Sequence, residues 1–139
     1  MSSNLLKPIY ADKLSQLLLD NVSDAIISTD ENFRIKTWNK AAEKIYGLSF
    51  FDIKDRKTTD ILHYEFLNDS LDHSRQKLIE EGEWKGIVSF SRPDKKRVFL
   101  SASVSTLRND DGTPIGYVAV NRDITDVYQI KSSWKMSSD

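Results

Sequence analysis

The sequence predicts an α+β domain, on three observations. A chain of 139 residues suits one domain with short extensions, because that length buries roughly two thirds of its unfolded surface in one core. Hydrophobic residues at 39% and charged residues at 29% are typical of a folded globular chain. The hydrophobic period changes along the chain, and from Trp84 onward it is two residues. We therefore predict two strands, a helical stretch and three further strands, with an amphipathic helix at each end.

The first third of the chain predicts a helix followed by a hairpin. Apolar residues recur at helical spacing over residues 8–20 (Tyr10, Leu14, Leu17 and Leu18), with Pro8 in a position that a first helical turn tolerates. Asp24 to Asp30 is rich in β-forming residues, and residues 33–38 alternate between apolar or small and polar side chains. The intervening turn residues join these two segments as antiparallel strands.

The middle of the chain predicts helices. Asn39 is a candidate N-cap for a short helix that Gly47 ends in the left-handed conformation. Residues 48–62 are mixed and predict one or two short helical turns. A longer helix is predicted from Phe66 to Glu81, closed by Gly82, with its inward positions at Leu67, Leu71, Leu78 and Ile79.

The last part of the chain predicts three strands and an output helix. Turn signals separate the strand segments Trp84 to Ser91, Arg97 to Leu107 and Pro114 to Asp123. Asp123 or Thr125 can then cap a terminal helix, in which apolar and long side chains follow a heptad-like spacing (Ile124, Val127, Lys131 and Trp134).

Composition and motifs exclude several function classes. A formal net charge of -1 and a pI of about 6.1 argue against direct binding of nucleic acid. The absence of cysteine removes disulfides, thiolate metal sites and thiol nucleophiles, and it suits a reducing cytoplasm. No phosphate-binding loop, hydrolase elbow or secretory signal is present, so we expect a non-enzymatic domain with no catalytic or metal site and no membrane span in this segment.

Two long stretches resemble the PAS domain, a sensory module of histidine kinases, cyclic-dinucleotide enzymes and transcriptional regulators. They are NVSDAIISTDENFRIKTWNKAAEKIYGLS and GEWKGIVSFSRPDKKRVFLSASVSTLRNDDGTPIGYVAVNRDITD, within residues 20–126. The resemblance implies a five-stranded antiparallel sheet with helices packed on one face and a small cavity between them. It also implies flanking helices that dimerise and pass signals to an effector. We expect the flanking helix in residues 1–20, the PAS domain in 21–123 and the output helix or linker in 124–139.

The end of the last strand is the candidate signal-coupling site. In the resemblance, RDIT marks the exit from the sheet to the output helix, which gives Arg122, Asp123 and Thr125 a mechanical role. A carboxylate at a helix start is also an ordinary cap that contributes about 1 kcal/mol. Both interpretations stay open at this stage.

The resemblance also supplies cofactor candidates. Trp84 in GEWKG stands where flavin-holding PAS modules often carry a tryptophan, and Trp38 is a second candidate for the same role. His73 stands where haem-holding modules place their iron ligand. A core tryptophan and a solvated surface histidine are the plain alternatives, and His73 has polar neighbours on every side. The photoadduct chemistry of a third PAS class needs a cysteine, which this chain lacks.

Alternation along residues 98–105 predicts two different strand faces. One face carries Phe99 and three serines (Ser101, Ser103 and Ser105), and the other is apolar (Val98, Leu100, Ala102 and Val104). We expect the serine face either to leave room for a ligand or to lie in solvent or under the N-terminal helix.

We therefore predict a cytoplasmic sensory module. A small ligand, a redox state or a docked partner changes the cavity, and the flanking helices of a homodimer pass that change to an effector domain in the parent chain. The alternative is a ligand-free dimerisation or scaffold domain whose interior is filled by its own side chains.

Overall fold

The structure, a computed structural model, describes residues 22–130. The predicted N-terminal helix over residues 8–20 and the end of the predicted output helix, with Lys131 and Trp134, lie outside the described residues. Those two predictions, and the division of the chain into three segments, stay predictions.

The described residues form one antiparallel sheet. Its strands are β1 (Ala25–Asp30), β2 (Ile35–Trp38), β3 (Glu65–Leu67), β4 (Glu83–Ser91), β5 (Arg97–Arg108) and β6 (Pro114–Asp123). The spatial order is β2-β1-β6-β5-β4-β3, and every neighbouring pair is antiparallel. The last strand therefore lies between the first strand and β5, which brings the start and the end of the domain together.

The helices lie between β2 and β4 in the sequence and pack on one face of the sheet. They are α1 (Lys40–Tyr46), α2 (Phe50–Ile53), α3 (Thr58–Ile61) and α4 (Leu71–Glu81), and a final helix α5 occupies residues 125–130. Helix and inner-face side chains share one hydrophobic core, whose largest fully buried members include Tyr46, Ile53 and Leu100. The predicted α+β class and the antiparallel sheet are confirmed.

Asn39 fixes the start of α1 and also joins it to the sheet. Its Oδ1 accepts hydrogen bonds from the backbone nitrogens of Ala42, at 2.9 Å, and of Ile26, at 3.0 Å, while its Nδ2 donates to the carbonyl of Asp24. The helix ends at Gly47, whose φ of 69° is left-handed. Both predicted boundaries of this helix are confirmed, and the cap is a tertiary contact as well as a local one.

The prediction of one long helix from Phe66 to Glu81 is wrong at its start. Residues 65–67 instead pair with β4 as a sixth strand, with Phe66 opposite Val88. Asn68 then takes a left-handed φ of 63°, and the Ser70 side chain accepts a hydrogen bond from the His73 amide at 3.1 Å. A left-handed residue followed by a capping serine starts the helix at residue 71, and that helix ends at Gly82 as predicted.

The inward positions predicted for this helix are only partly right. Leu78 is buried at 4% exposure, whereas Ile79 is 66% exposed and Leu71 is 41% exposed. The buried residues of this helix are Ser74 and Leu78, four positions apart, so the stripe that meets the sheet is narrow and Ile79, one position after Leu78, lies outside it. The predicted second strand is also too long, since Phe33 has a φ of 63° in the preceding turn and β2 begins at Ile35.

The two faces of β5 alternate as predicted. Val98, Leu100 and Ala102 are buried on the inner face, and the serines alternate with them on the other face. The three last strands match their predicted ranges within one residue at each end. The sheet thus presents one apolar face to the helices, and the candidate site lies there.

Candidate functional site

A cavity of about 500 Å³ lies between the inner face of the sheet and the helices. Its walls are mostly apolar, with buried contributions from Ile27, Leu62, Leu78, Val88 and Ala102. Three lining residues are exposed at the surface (His63, Ser70 and Leu71), and they mark where the cavity meets solvent. A space of this size, mostly apolar with a few polar groups, is typical of a small-molecule site.

Asn121 is the most deeply buried of the polar residues that line the cavity. It lies on the inner face of β6 and is 2% exposed. Its Nδ2 donates to the Tyr46 hydroxyl at 2.8 Å, but its Oδ1 has no hydrogen-bond partner among the described residues. A buried amide oxygen without a donor is rare in folded proteins, and Asn121 Oδ1 is such an atom among the described residues.

Two tyrosines surround that amide. The hydroxyls of Tyr46 and Tyr64 are hydrogen-bonded to each other, and Tyr64 also lines the cavity. Burial raises the pKa of Tyr46 to about 12, with its hydrogen bonds to Tyr64 and Asn121 acting in the opposite direction. Burial also raises the pKa of Tyr64 well above its ordinary value. Both hydroxyls are therefore neutral near pH 7, and they can donate and accept hydrogen bonds.

A cation lies at the other end of the cavity. The guanidinium carbon of Arg75 is 3.8 Å from the centre of the Phe33 ring, and that ring stacks on Tyr117 with 4.5 Å between centroids. One Nη of Arg75 donates to the Thr58 hydroxyl at 3.4 Å. Burial lowers the pKa of Arg75, and Tyr117 and Asp72 only partly offset this. The stacked rings thus hold a charged group against an apolar space.

Trp84 forms part of the cavity wall, as the sequence suggested for a cofactor-holding residue. Its Nε1 donates to Asp69 at 2.8 Å, and its ring packs edge-on against Phe66. A β-carbon on Gly86 would lie 2.4 Å from the Trp84 ring, so the glycine makes room for this ring position. With its indole N–H bonded to Asp69, Trp84 contributes its apolar ring to the cavity wall.

The other two cofactor candidates do not line this cavity. Trp38 donates its Nε1 hydrogen to the Leu48 carbonyl at 3.0 Å and packs against Tyr46. The His73 side chain is 65% exposed, and its Nδ1 lies 2.7 Å from Asp69. A haem ligand must point into an enclosed apolar pocket, so His73 does not fit that role here. A planar ring such as a flavin still finds a suitable wall in Trp84.

Asp69 connects the surface histidine to the cavity wall. Hydrogen bonds from the Trp84 indole, the Ser70 backbone and His73 hold the pKa of the Asp69 carboxyl below its ordinary value, with Trp84 the largest contribution. The carboxylate is therefore charged over the physiological range and keeps the tryptophan in place.

The junction predicted for signal coupling has a defined geometry. The Asp123 carboxylate accepts hydrogen bonds from the backbone nitrogen of Thr125, at 2.9 Å, and from its hydroxyl. The same hydroxyl oxygen accepts from the Phe99 amide at 3.0 Å, and the Ile124 amide donates to the Phe99 carbonyl at 2.8 Å. The Tyr128 ring stacks on Phe99 at 4.2 Å. The first turn of α5 is thereby attached to β5 by backbone, side chain and ring.

Arg122 makes a weaker connection. Its Nε lies 3.3 Å from Asp24, the residue that precedes β1, and the arginine side chain is 72% exposed. An exposed ion pair contributes little stability. Because β6 and β1 are neighbours in the sheet, this ion pair joins the residue before β1 to the end of β6.

The serine face of β5 is not part of the cavity. The cavity is lined from this strand by Ala102 and Val104 on the opposite face. Of the two alternatives for the serine face, room for a ligand is therefore not met in this cavity, and a position in solvent or under the N-terminal helix stays a prediction. The serines lie on the face away from α1, α2, α3 and α4, because the apolar side chains between them occupy the core side. Tyr128 of α5 packs on Phe99 of that outer face.

The sequence did not predict Asn121, Tyr64 or Arg75 as cavity residues. Asn121 could have been found, because it continues the two-residue alternation of Tyr117 and Ala119 and so belongs to the inner face. Tyr64 lies in a connecting segment and Arg75 lies on a helix. No local sequence pattern predicts that these two residues line the same cavity.

Within residues 22–130, no helix has both the length and the apolar character needed to cross a membrane. The same residues contain no group of three or more histidine, aspartate or glutamate side chains placed to hold a metal ion.

Comparison with known proteins identifies relatives of the whole domain. A family model described as the PAS fold matches residues 19–129. The sensor protein kinase WalK of Staphylococcus aureus (strain Newman) is 26% identical over 114 residues, which cover 82% of this chain. WalK of Staphylococcus haemolyticus is 26% identical over 117 residues. The match covers 17% of the length of each of these kinases.

Solved structures share the fold at low identity. The PAS domain of a protein from Colwellia psychrerythraea has a TM-score of 0.68 at 24% identity, covering 82% of this chain and 97% of that one. A PAS domain from a two-component sensor histidine kinase has a TM-score of 0.68 at 12% identity, covering 84% and 99%.

Proposed function

Because the chain belongs to the PAS family, we propose that it senses a small molecule in the cavity and passes its occupancy to an effector through α5. The observation that carries the proposal is the position of two residues on β6. Asn121 lines the cavity and has an unpartnered buried oxygen among the described residues, and Asp123, two residues further along the same strand, binds the first turn of α5. A group that binds Asn121 acts directly on the strand that holds the output helix.

The contacts between the end of β6 and α5 favour a signal-coupling role over that of an ordinary helix cap. Thr125 bonds to Asp123 and to the backbone of β5 at the same time, so a shift of β6 against β5 changes both contacts. A cap is worth about 1 kcal/mol, which is enough to bias two arrangements of a helix without locking either one. Arg122, through Asp24, adds a link to the start of the domain. We infer a coupling role for these three residues.

We also propose that α5 dimerises. Val127 and Ile130 are 56% and 61% exposed, and their spacing of three residues places them on one side of the helix. Two such helices side by side would bury these residues, and a rotation or slide of the pair would carry the signal.

The effector belongs to the parent chain in this proposal. Similarity to the sensor protein kinase WalK supports a histidine kinase before a cyclic-dinucleotide enzyme or a transcriptional regulator. The domain itself regulates in the cytoplasm and has no catalytic step of its own.

Native mass spectrometry of protein that has never been denatured tests the binding part of the proposal. We expect a bound small molecule and a dimer mass. An absorption spectrum of the same sample separates a flavin, which Trp84 could face, from a colourless metabolite. A protein that carries no small molecule, and whose α5 amides exchange identically before and after exposure to extracts of small metabolites, supports the ligand-free scaffold instead.

A further inference from the structure

The turn between β1 and β2 holds a residue in a backbone conformation that its side chain disfavours. Phe33 has a φ of 63°, in the left-handed region that glycine occupies readily and that a bulky side chain rarely adopts. Asn32 and Arg34 on either side of it are exposed, whereas Phe33 is partly buried and lines the cavity. Strained backbone of this kind clusters at functional positions, and here it directs a ring from a surface turn into the cavity wall.

The backbone of this turn is held by contacts that do not involve the ring. The Asp30 carboxylate accepts hydrogen bonds from the backbone nitrogens of Asn32 and Arg34, both at 2.9 Å. The Phe33 nitrogen donates to the Asp30 carbonyl at 3.1 Å, and the Phe33 carbonyl accepts from the Thr58 nitrogen at 3.0 Å. Because the backbone is fixed in this way, the Phe33 side chain is the part of the turn that can move.

Two contacts hold the ring in the cavity wall. It stacks on the Tyr117 ring, with 4.5 Å between centroids and 3° between planes. The guanidinium carbon of Arg75 lies 3.8 Å from the centre of the Phe33 ring. A ring stack and a cation–π contact at a partly exposed site are each weak relative to the stability of a domain. Side-chain rotation is also much faster than unfolding, so the ring can leave the wall while the turn stays in place.

The ring borders the opening of the cavity, which lies between α3 and α4. The exposed lining residues follow the end of α3 (His63) or lie at the start of α4 (Ser70 and Leu71). Further along the same pair of helices, Arg75 of α4 donates to the hydroxyl of Thr58 in α3 at 3.4 Å. This contact, together with the Phe33 ring against Arg75, bounds the opening on the side of the β1–β2 turn.

We propose that the Phe33 side chain is a gate of the cavity and that Arg75 holds the gate closed. In the closed state the ring lies against Tyr117 and the guanidinium. Rotation of the ring away from Tyr117 widens the opening between α3 and α4 toward the turn. This inference goes beyond the proposed function, because it concerns access to the cavity and holds whatever the cavity binds.

Acrylamide quenching of Trp84 fluorescence measures that access, because Trp84 lines the cavity and is only 5% exposed. The chain has three tryptophans, and Trp38→Phe with Trp134→Phe leaves Trp84 as the single emitter. In this background, Phe33→Ala and Phe33→Gly should both raise the quenching constant roughly fivefold, because a ring stack of typical strength keeps the open state at roughly one part in five. Phe33→Tyr retains the ring and should leave the constant unchanged.

Matched controls separate the gate from a general loosening of the domain. Phe51→Ala removes a ring that is 92% exposed on α2 and should not change the quenching of Trp84. Arg75→Gln should raise the quenching constant roughly twofold, because one of the two contacts of the ring is lost. Lys77→Gln on the same helix should leave it unchanged, since Lys77 pairs with Glu81 instead.

Urea unfolding of the same variants shows that they fold, and Phe33→Gly should be the more stable of the two ring deletions because glycine accepts the left-handed backbone. Unchanged quenching in both ring deletions, or an equal increase in Phe51→Ala, would overturn the gate. An increase in Phe33→Ala alone would also overturn it, since strain in the turn would then be the cause. None of these results bears on whether native mass spectrometry finds a bound molecule, so the gate and the proposed function can fail separately.

Discussion

At the scale of single residues, the tightest constraints are two glycines on the sheet. A β-carbon on Gly116 would lie 2.0 Å from the Thr29 carbonyl oxygen, which belongs to the neighbouring backbone. The same atom on Gly86 meets the Trp84 ring instead. The Trp84 side chain can shift to accommodate an added β-carbon, whereas the backbone of a paired strand cannot move without breaking hydrogen bonds to its neighbour. We therefore expect a side chain at position 116 to be tolerated less well than one at position 86.

We predict that Gly116→Ala destabilises the domain more than Gly86→Ala. The second substitution should cost about 1 to 3 kcal/mol, the usual range for overpacking a core, and it should also change the tryptophan fluorescence. Urea unfolding of both variants measures the difference. Ser103→Ala on the outer face serves as the control, with an expected change within about 0.5 kcal/mol. Equal costs at the two glycines would contradict the assignment.

The buried tyrosine pair predicts a loss of stability in alkaline solution. The pKa of Tyr46 is about 12 in the folded state against about 10 in an unfolded chain. Because the folded value is the higher one, its contribution is complete below pH 10 and disappears as the pH rises toward 12. The difference of two units corresponds to about 2 to 3 kcal/mol.

Unfolding free energies of the wild type and of a variant with Tyr46→Phe and Tyr64→Phe, measured from pH 8.5 to 11.5, test this. We expect the wild type to lose stability more steeply than the variant between pH 10 and 11.5. Parallel curves would show that the hydroxyls are not buried as neutral groups.

At the scale of elements, one capping residue holds α1 to the sheet while another caps only its own helix. Asn39 bonds to α1, to β1 and to the loop before β1, whereas Ser70 bonds to the His73 amide at the start of α4. Asn39→Ala should cost roughly 2 to 4 kcal/mol, because it leaves several groups unpaired. Ser70→Ala should cost about 1 kcal/mol. Thermal unfolding compares them, and similar costs would contradict a tertiary role for Asn39.

The Asp-x-Thr junction has an internal control in the same chain. Thr113 bonds to Asp111 in the β5–β6 turn through its backbone nitrogen and its hydroxyl, as Thr125 does to Asp123. Thr125→Val should speed amide hydrogen exchange at Ile124 and Tyr128 by roughly fivefold, the effect of about 1 kcal/mol. Thr113→Val should leave these two amides unchanged. Similar exchange in both variants would show that the contact with Phe99 does not hold α5.

The sequence predicts elements best where a pattern is long or a cap is strong. The alternation along β5 and β6 locates both strands within one residue, and Asn39, Gly47 and Gly82 fix helix ends. The third strand was missed because three residues carry no periodicity. In the site, Trp84 was predicted, but Arg75 and Tyr64 meet it only through the tertiary packing of separate elements, which no local pattern encodes.

At the scale of the whole molecule, the sheet connects the cavity to α5. β6 lies between β1 and β5, carries Asn121 on its inner face and ends at the cap of α5. The start of the domain lies beside this exit through Asp24 and Arg122. One strand therefore connects the cavity, the neighbouring strand β1 and α5, and only a few residues separate Asn121 in the cavity lining from α5.

Amide hydrogen exchange at Ile124 and Tyr128 in a cavity-filling variant tests this connection most directly. Ala119→Phe adds a ring inside the cavity on β6, and Val120→Phe adds the same ring on the opposite face of the same strand. We predict that the inner ring changes exchange at both amides by roughly fivefold, an energy of about 1 kcal/mol, while the outer ring changes it less than twofold. Equal responses to the two rings, or an unchanged helix when the cavity is filled, would contradict the account.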